Sequence, residues 1–285
     1  MKRSTISVAS LCAALTCTTS TFATIVYEDG GIHTFNTTTT ESIVVDNDTN
    51  APNGPTHLTI DAGAVIGDDS PQGVDTSVLA VGNSTIIING GTIEQDVDAW
   101  DDSTITMNGG IVEDDLYSHD FATFNLTGGV VADDVNVRGD SLFSMFGGTV
   151  GEDFEAGQDS TAFIYGGSIS REIVAFQGAS ITISGGTIGI SNDAFLSTDF
   201  ISSITLDGSN FKIDGVAISL GDIAPTTGIL SGNLADGSAF EIDFKRIEVT
   251  FDGTTSTGTI TLIPEPASFA LLSLGSLLFL SRKNK

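Results

Sequence analysis

Cysteine is nearly absent from this 285-residue chain. Cys12 and Cys17 both lie before Ala23, so a body that begins after that point has neither disulfide nor thiol chemistry. Export permits disulfides, so stability has to come from another source. Basic residues are scarce as well. Between the two ends of the chain, Arg138, Arg171, Lys212, Lys245 and Arg246 stand against 36 of the 37 acidic residues, all of which lie after Ala23, for a net charge of about −31. That balance excludes nucleic acid and anionic membrane surfaces as partners, because phosphate contacts need Lys and Arg. It favours solubility and attracts cations. Disorder is the usual reading of so acidic a chain, but the apolar content and the ordered internal repeats argue against it.

The first stretch has the parts of a secretory signal peptide: basic Lys2 and Arg3, an apolar and small-residue middle, and Thr21-Phe22-Ala23 as a cleavage site. The apolar run is too short and too Thr-rich to span a membrane. Cleavage after Ala23 makes Thr24 the expected start of the mature chain. Ala14-Leu15-Thr16 before Cys17 is a poor lipobox, so a lipoprotein anchor is not favoured. About 240 residues lie between Thr24 and the tail that begins at Pro264, enough for a large core or an elongated repeat fold.

Glycine pairs recur at 90–91, 109–110, 128–129, 147–148, 166–167 and 185–186, an unvarying step from i to i+19. Aligning the repeats on them gives apolar columns. One runs Ile86, Ile105, Phe124, Phe143, Ala162, Ile181, and the next Ile88, Met107, Leu126, Met145, Ile164, Ile183. A third is Ile93, Val112, Val131, Val150, Ile169, Ile188; a fourth is Val97, Leu116, Val135, Phe154, Ile173, broken at Asn192. Ala99, Ser118, Val137, Ala156, Ala175 and Ala194 form a small-residue column two places on. Within each repeat apolar and polar residues alternate, which predicts strands with one buried face. Gly-Gly suits a corner that needs positive φ. Together these predict an all-β fold: a parallel β-solenoid, or β-helix, of 19-residue coils with three short strands each, stacked about 4.8 Å apart. A β-sandwich would also have many short strands but would not require an invariant spacing.

The expected organisation is a signal peptide over 1–23, an N-terminal strand and cap over 24–55, solenoid repeats over 56–215, a C-terminal β cap over 216–263 and a tail over 264–285. THLTIDAGAVIG (56–67) reads as an early coil with Ala62-Gly63 in place of Gly-Gly, followed by a loop around 68–77. SSITLDGSNFKIDG (202–215) reads as a late coil after a short insertion. Strands with Asp-Gly turns then cap an edge that would otherwise invite aggregation.

The tail reads PEPASFALLSLGSLLFLSRKNK. Pro264-Glu265-Pro266 is followed by an apolar stretch, Ala267 to Leu280, and a basic end with Arg282, Lys283 and Lys285. The apolar stretch is expected to be a C-terminal transmembrane helix, short for a permanent span. Basic residues at its end should remain cytoplasmic, leaving the body outside the inner membrane. This order of tripeptide, apolar segment and basic end resembles the PEP-CTERM sorting signal of Gram-negative bacteria. The resemblance is confined to the tail, 264–285, and implies an address rather than an activity. It implies an exosortase-type membrane protease as partner, transient residence in the inner membrane and delivery to the cell surface or extracellular matrix. A plain tail anchor is the alternative.

Candidate chemistry in the body is sparse. Asp96, Asp115, Asp134, Asp153 and Glu172 fall in one column, with Asp114, Asp133 and Glu152 beside them and Glu94 and Glu113 one place earlier. Stacked oxygens at that spacing suit Ca²⁺, although a solvated acidic face explains them more simply and the nonapeptide calcium repeat is missing. Asp102, Asp140 and Asp159 form a second, interrupted column that reads as a turn. A polysaccharide lyase would need a base and clustered cations; Arg138 and Arg171 fall in different columns and His119 is isolated. Adjacent acids such as Asp114-Asp115 could serve a glycosidase, but neighbours on a strand point to opposite faces and no repeat stands out. No nucleophile motif, zinc cluster or phosphate loop occurs, so no enzyme activity is expected. Trp100, Tyr117, Tyr165 and Phe176 are candidates for stacking on sugars. Ice binding is disfavoured because the Thr column Thr85, Thr104, Thr123 continues as Leu142, Thr161, Ser180, and Thr92, Thr149, Thr187 align only with gaps. The reading is therefore a non-catalytic envelope or matrix protein, structural or adhesive, with exopolysaccharide as the candidate partner and a polysaccharide-binding or -degrading β-helix as the alternative.

Overall fold

The computed structural model describes residues 24–46, 54–67, 76–199, 201–251 and 254–265. Every regular element in them is a β-strand. No helix among the described residues is long and apolar enough to cross a membrane. The signal peptide and the apolar tail, and with them the expected transmembrane helix, lie outside those residues.

The strands stack as a β-helix with three faces. Face I contains Asp96–Ala99, Leu116–Ser118, Val135–Val137, Phe154–Ala156 and Ile173–Ala175; face II contains Thr85–Ile88, Thr104–Met107, Thr123–Leu126, Leu142–Met145, Thr161–Ile164 and Ser180–Ile183; face III contains two-residue strands such as Ile111–Val112 and Val130–Val131. Pairing is parallel and in the register that the columns predict, for example Ile105 with Phe124 and Leu116 with Val135. The column residues point inward because a strand alternates its sides; Ile105, Phe124, Phe143, Leu116, Val135 and Val112 are all fully buried. Burial of each is worth about 1.5–3 kcal/mol, and each coil completes the core of the next, so stability accumulates along the stack. Phe143 and Phe154 belong to one repeat and their rings pack 5.1 Å apart, while the next repeat has the smaller Ala162 and Ile173 in the same columns.

Both glycines of each pair are needed by the stacking. Gly129 has φ +93°, and a Cβ there would lie 2.8 Å from the carbonyl oxygen of Gly110 in the coil before. A Cβ on Gly128, whose φ is ordinary, would lie 2.6 Å from the Asn108 carbonyl oxygen. The corner is thus made of backbone lying on backbone.

The stack extends beyond the clear repeats. The expected N-terminal strand, Thr24–Tyr27, pairs parallel with Ser42–Val45, and Ile32–Phe35 with His57–Ile60, so residues 24–46 are already coil. One late coil is longer: Ile173 pairs with Leu196 and Ile181 with Ile204, a step from i to i+23 in place of i+19. The column that breaks at Asn192 therefore resumes at Leu196, and Thr198, not Ala194, stands opposite Ala175. In the C-terminal region Ala239–Arg246 and Thr259–Pro264 continue faces I and II in parallel. Thr227–Leu234 pairs antiparallel with both neighbours and joins those two faces into one 23-stranded sheet, while face III remains a separate 7-stranded sheet.

Candidate functional site

The stacked acids stand at the corner between faces III and I. The chain changes hydrogen-bonding direction there: Leu116 donates its amide forward to the Asp134 carbonyl, which leaves the amide of the preceding acid without a strand partner. The carboxylate one coil back accepts it. Asp96 Oδ1 takes the Asp115 amide at 3.0 Å, Asp115 the Asp134 amide at 2.9 Å, Asp134 the Asp153 amide at 2.8 Å and Asp153 the Glu172 amide at 2.9 Å. A short acceptor capping an orphan amide is the same solution that helices use at their N-termini. The ladder read as a candidate cation site thus holds the corner together.

Its electrostatics are unfavourable. Partial burial pushes the Asp96 carboxyl up to about 7, against the amide bond that favours its charge, with Asp114 and Asp115 adding repulsion. The same causes, with Asp115 and Asp153 as neighbours, raise Asp134 to about 6. Burial foremost also raises Asp133 and Glu172. Relief comes at the C-terminal end, where Arg171 pairs with Glu152 and reaches Asp153 at 3.5 Å. Two groups have ligand atoms within 4.8 Å of one another, Asp96/Asp114/Asp115 and Asp115/Asp133/Asp134. These residues could hold a hard cation. Asp115 is common to both, however, and its second oxygen already accepts the Tyr117 hydroxyl at 2.7 Å.

A second constellation lies on the outside of face I, assembled from residues that look unrelated in sequence. Trp100 and His119 occupy equivalent places one coil apart and their rings stack at 4.0 Å. Tyr117 lies parallel to His119 at 5.7 Å. Asp98, nearly buried, accepts the Thr76 hydroxyl at 2.5 Å and sits 3.8 Å from His119 Nε2. Burial raises the Asp98 carboxyl and lowers the His119 imidazole. Further along, Arg138 bonds Asn136 at 2.8 Å and Glu155 at 2.7 Å and lies 4.5 Å over the Phe176 ring, which leans across Gly157. His119 and Arg138 are therefore not isolated. Asp98, Asn136 and Glu155 were missed in the sequence; the signal was an outward column whose residue type changes in every coil. His119 covers a face of the Trp100 ring and Arg138 a face of the Phe176 ring, which suits a lateral brace.

At the Gly-Gly corner a polar ladder runs Asp61, Asn89, Asn108, Thr127, each bonded to the next at 2.7–3.0 Å. Phe146 and Tyr165 continue it with stacked rings 5.1 Å apart. Of the sorting residues, Pro264 ends a strand of face II opposite Gly208, and Glu265 accepts the Ser209 hydroxyl at 3.0 Å. Ala23, Pro266, Arg282, Lys283 and Lys285 lie outside the described residues. No family model matches the chain, and no curated protein or solved structure matches it either.

Proposed function

We propose that this is an exported, non-catalytic protein of the cell envelope or extracellular matrix, whose acidic β-helix serves as a rigid spacer or adhesive surface and whose tail is a PEP-CTERM sorting signal. The observation that carries the non-catalytic half is the use made of the polar groups. The stacked carboxylates cap backbone amides, Arg171 offsets their charge, and Arg138 ties three coils of face I together. The cap is repeated from coil to coil and the two arginines are each engaged by acids of their own neighbourhood, whereas catalysis needs one coil with groups left over for a substrate.

The sorting half is supported by the order of tripeptide, apolar stretch and basic end in residues 264–285. An exosortase-type protease would be the partner, with passage through the inner membrane before release or attachment. The test is the C-terminal mass of the protein from cells with and without that protease. Loss of the apolar and basic segment only when the protease is present supports the proposal; an unchanged C-terminus in both removes it. Incubating the protein with a polysaccharide panel and assaying new reducing ends or unsaturated products tests the catalytic alternative.

A further inference from the structure

Charge is distributed unevenly around the β-helix. In the six clear repeats, the ten residues that make face II, the glycine corner and face III are STIIINGGTI, STITMNGGIV, ATFNLTGGVV, SLFSMFGGTV, STAFIYGGSI and ASITISGGTI, without one charged side chain. The remaining nine residues of each repeat carry all of the charge. In these repeats the acids thus occupy face I and its two corners and the other half of the surface is neutral; Asp61 and Asp236 stand at the glycine corner at either end of them. Face II is its widest part. Two outward rows run up it, through Thr104 and Thr106 in one coil and Thr123 and Asn125 in the next. They extend from Ile32 and Thr34 to Ser203 and Thr205 with His57 as the one titratable group. Nine coils at the spacing of paired strands make this strip about 40 Å long.

We infer that face II is the adhesive surface of the protein and that its ligand is an uncharged polysaccharide lying along the strip. The inference rests on the adhesive reading given above. Hydroxyl and amide groups in rows match a polymer whose surface is hydroxyl. The Thr methyls, together with Phe163 beside Tyr165 at 5.9 Å and the exposed Phe146, offer apolar contact to sugar ring faces. Charge selects among partners. A polyanion is repelled by the acidic half, and a polycation would settle on that half instead. A second copy of this chain would bring two strongly acidic bodies together, whereas a neutral glycan meets no such opposition. Ordered water would need unbroken hydroxyl rows, and Leu142 and Phe163 interrupt both.

The test is adsorption of the full-length chain, in mild detergent, to particles of cellulose, chitin and curdlan, with alginate and chitosan beads as charged comparisons. Adsorption to at least one neutral polymer is expected, and molar salt should leave it unchanged because no ion pairs are involved. Thr106→Glu with Thr182→Glu, both outward on face II, should weaken it about tenfold or more by forcing charges against the polymer. Thr106→Ser with Thr182→Ser should retain it, and so should Asp140→Asn on the acidic half, with far-UV circular dichroism confirming the fold of each. Failure to adsorb to any neutral polymer, or indifference to the paired Glu substitutions, overturns the inference. So does thermal hysteresis of freezing, which would assign the face to ordered water, or a dimer that the Glu pair dissolves. None of these outcomes touches the processing test of the sorting signal.

Discussion

Gly129→Ala tests whether the coils are held at contact distance by backbone stacking. The substitution has two separable costs. At φ +93° an L side chain is strained by about 1–2 kcal/mol. Its Cβ would also lie 2.8 Å from the Gly110 carbonyl oxygen and 3.0 Å from the Gly109 carbonyl carbon, neither of which can move without separating two coils; overpacking of this kind costs about 1–3 kcal/mol. The close approach of the Met107 methyl at 2.7 Å is relieved by a rotamer change and adds little. Gly237→Ala isolates the first cost, since Gly237 has φ +91° and nothing among the described residues within 4 Å of a Cβ. Gly129→Ala should therefore destabilise by roughly 1–3 kcal/mol more than Gly237→Ala. For a chain of this size that is a difference of roughly 3–10 °C in melting temperature. Urea or thermal unfolding of the full-length chain followed by circular dichroism measures both variants. Equal losses would refute the claim that stacking at the corner, rather than φ alone, requires glycine.

The amide-capping role predicts that Asp134→Ala, which leaves the Asp153 amide without its acceptor, costs about 1–2 kcal/mol in unfolding experiments, and that Asp134→Asn, which keeps an acceptor oxygen, recovers most of it. The raised carboxyls set a pH dependence of definite sign. Asp96 near 7 and Asp134 near 6 bind protons more tightly in the folded chain than their ordinary value of 3.8 allows unfolded, so their contribution is fully present below about pH 4 and is lost as pH rises through 6–7. Both are partly exposed, and screening leaves on the order of 1 kcal/mol each; the melting temperature should fall between pH 5 and 8, and Asp96→Asn with Asp134→Asn should flatten the curve. With Asp115 engaged through both oxygens, millimolar Ca²⁺ and Mg²⁺ should raise the melting temperature alike by screening. A rise specific to Ca²⁺ would instead mark occupied sites at the two acidic groups.

The core was legible because its determinants are periodic. Ile105, Phe124 and Phe143 recur once per coil, and their register is fixed by the glycine corner. The first coil was not, because its glycine pair, Gly30-Gly31, comes before the face II strand Ile32–Phe35 instead of after it and so falls outside the 19-residue step, and its partner coil contains a longer connection between Val45 and His57. The misplaced Ala194 has the same cause: the period alone cannot say where four extra residues enter, whereas pairing with Ala175 selects Thr198. The acids were visible as a column, but their role depends on a reversal of backbone hydrogen bonding that no side chain announces. His119 looked solitary because its neighbours Trp100 and Asp98 belong to the coil before, and become adjacent to it only once the chain is wound.

Capping by the preceding coil has a consequence for growth of the molecule. Each 19-residue unit supplies an acceptor to the next and consumes one from the last, so a unit inserted between two others satisfies the same bonds that it interrupts. Duplication of a repeat should lengthen the rod by about 4.8 Å without creating an unpaired group at the junction. Reach, the distance that the body holds between its two ends, is therefore a quantity this sequence can change in uniform increments while its surface chemistry stays the same.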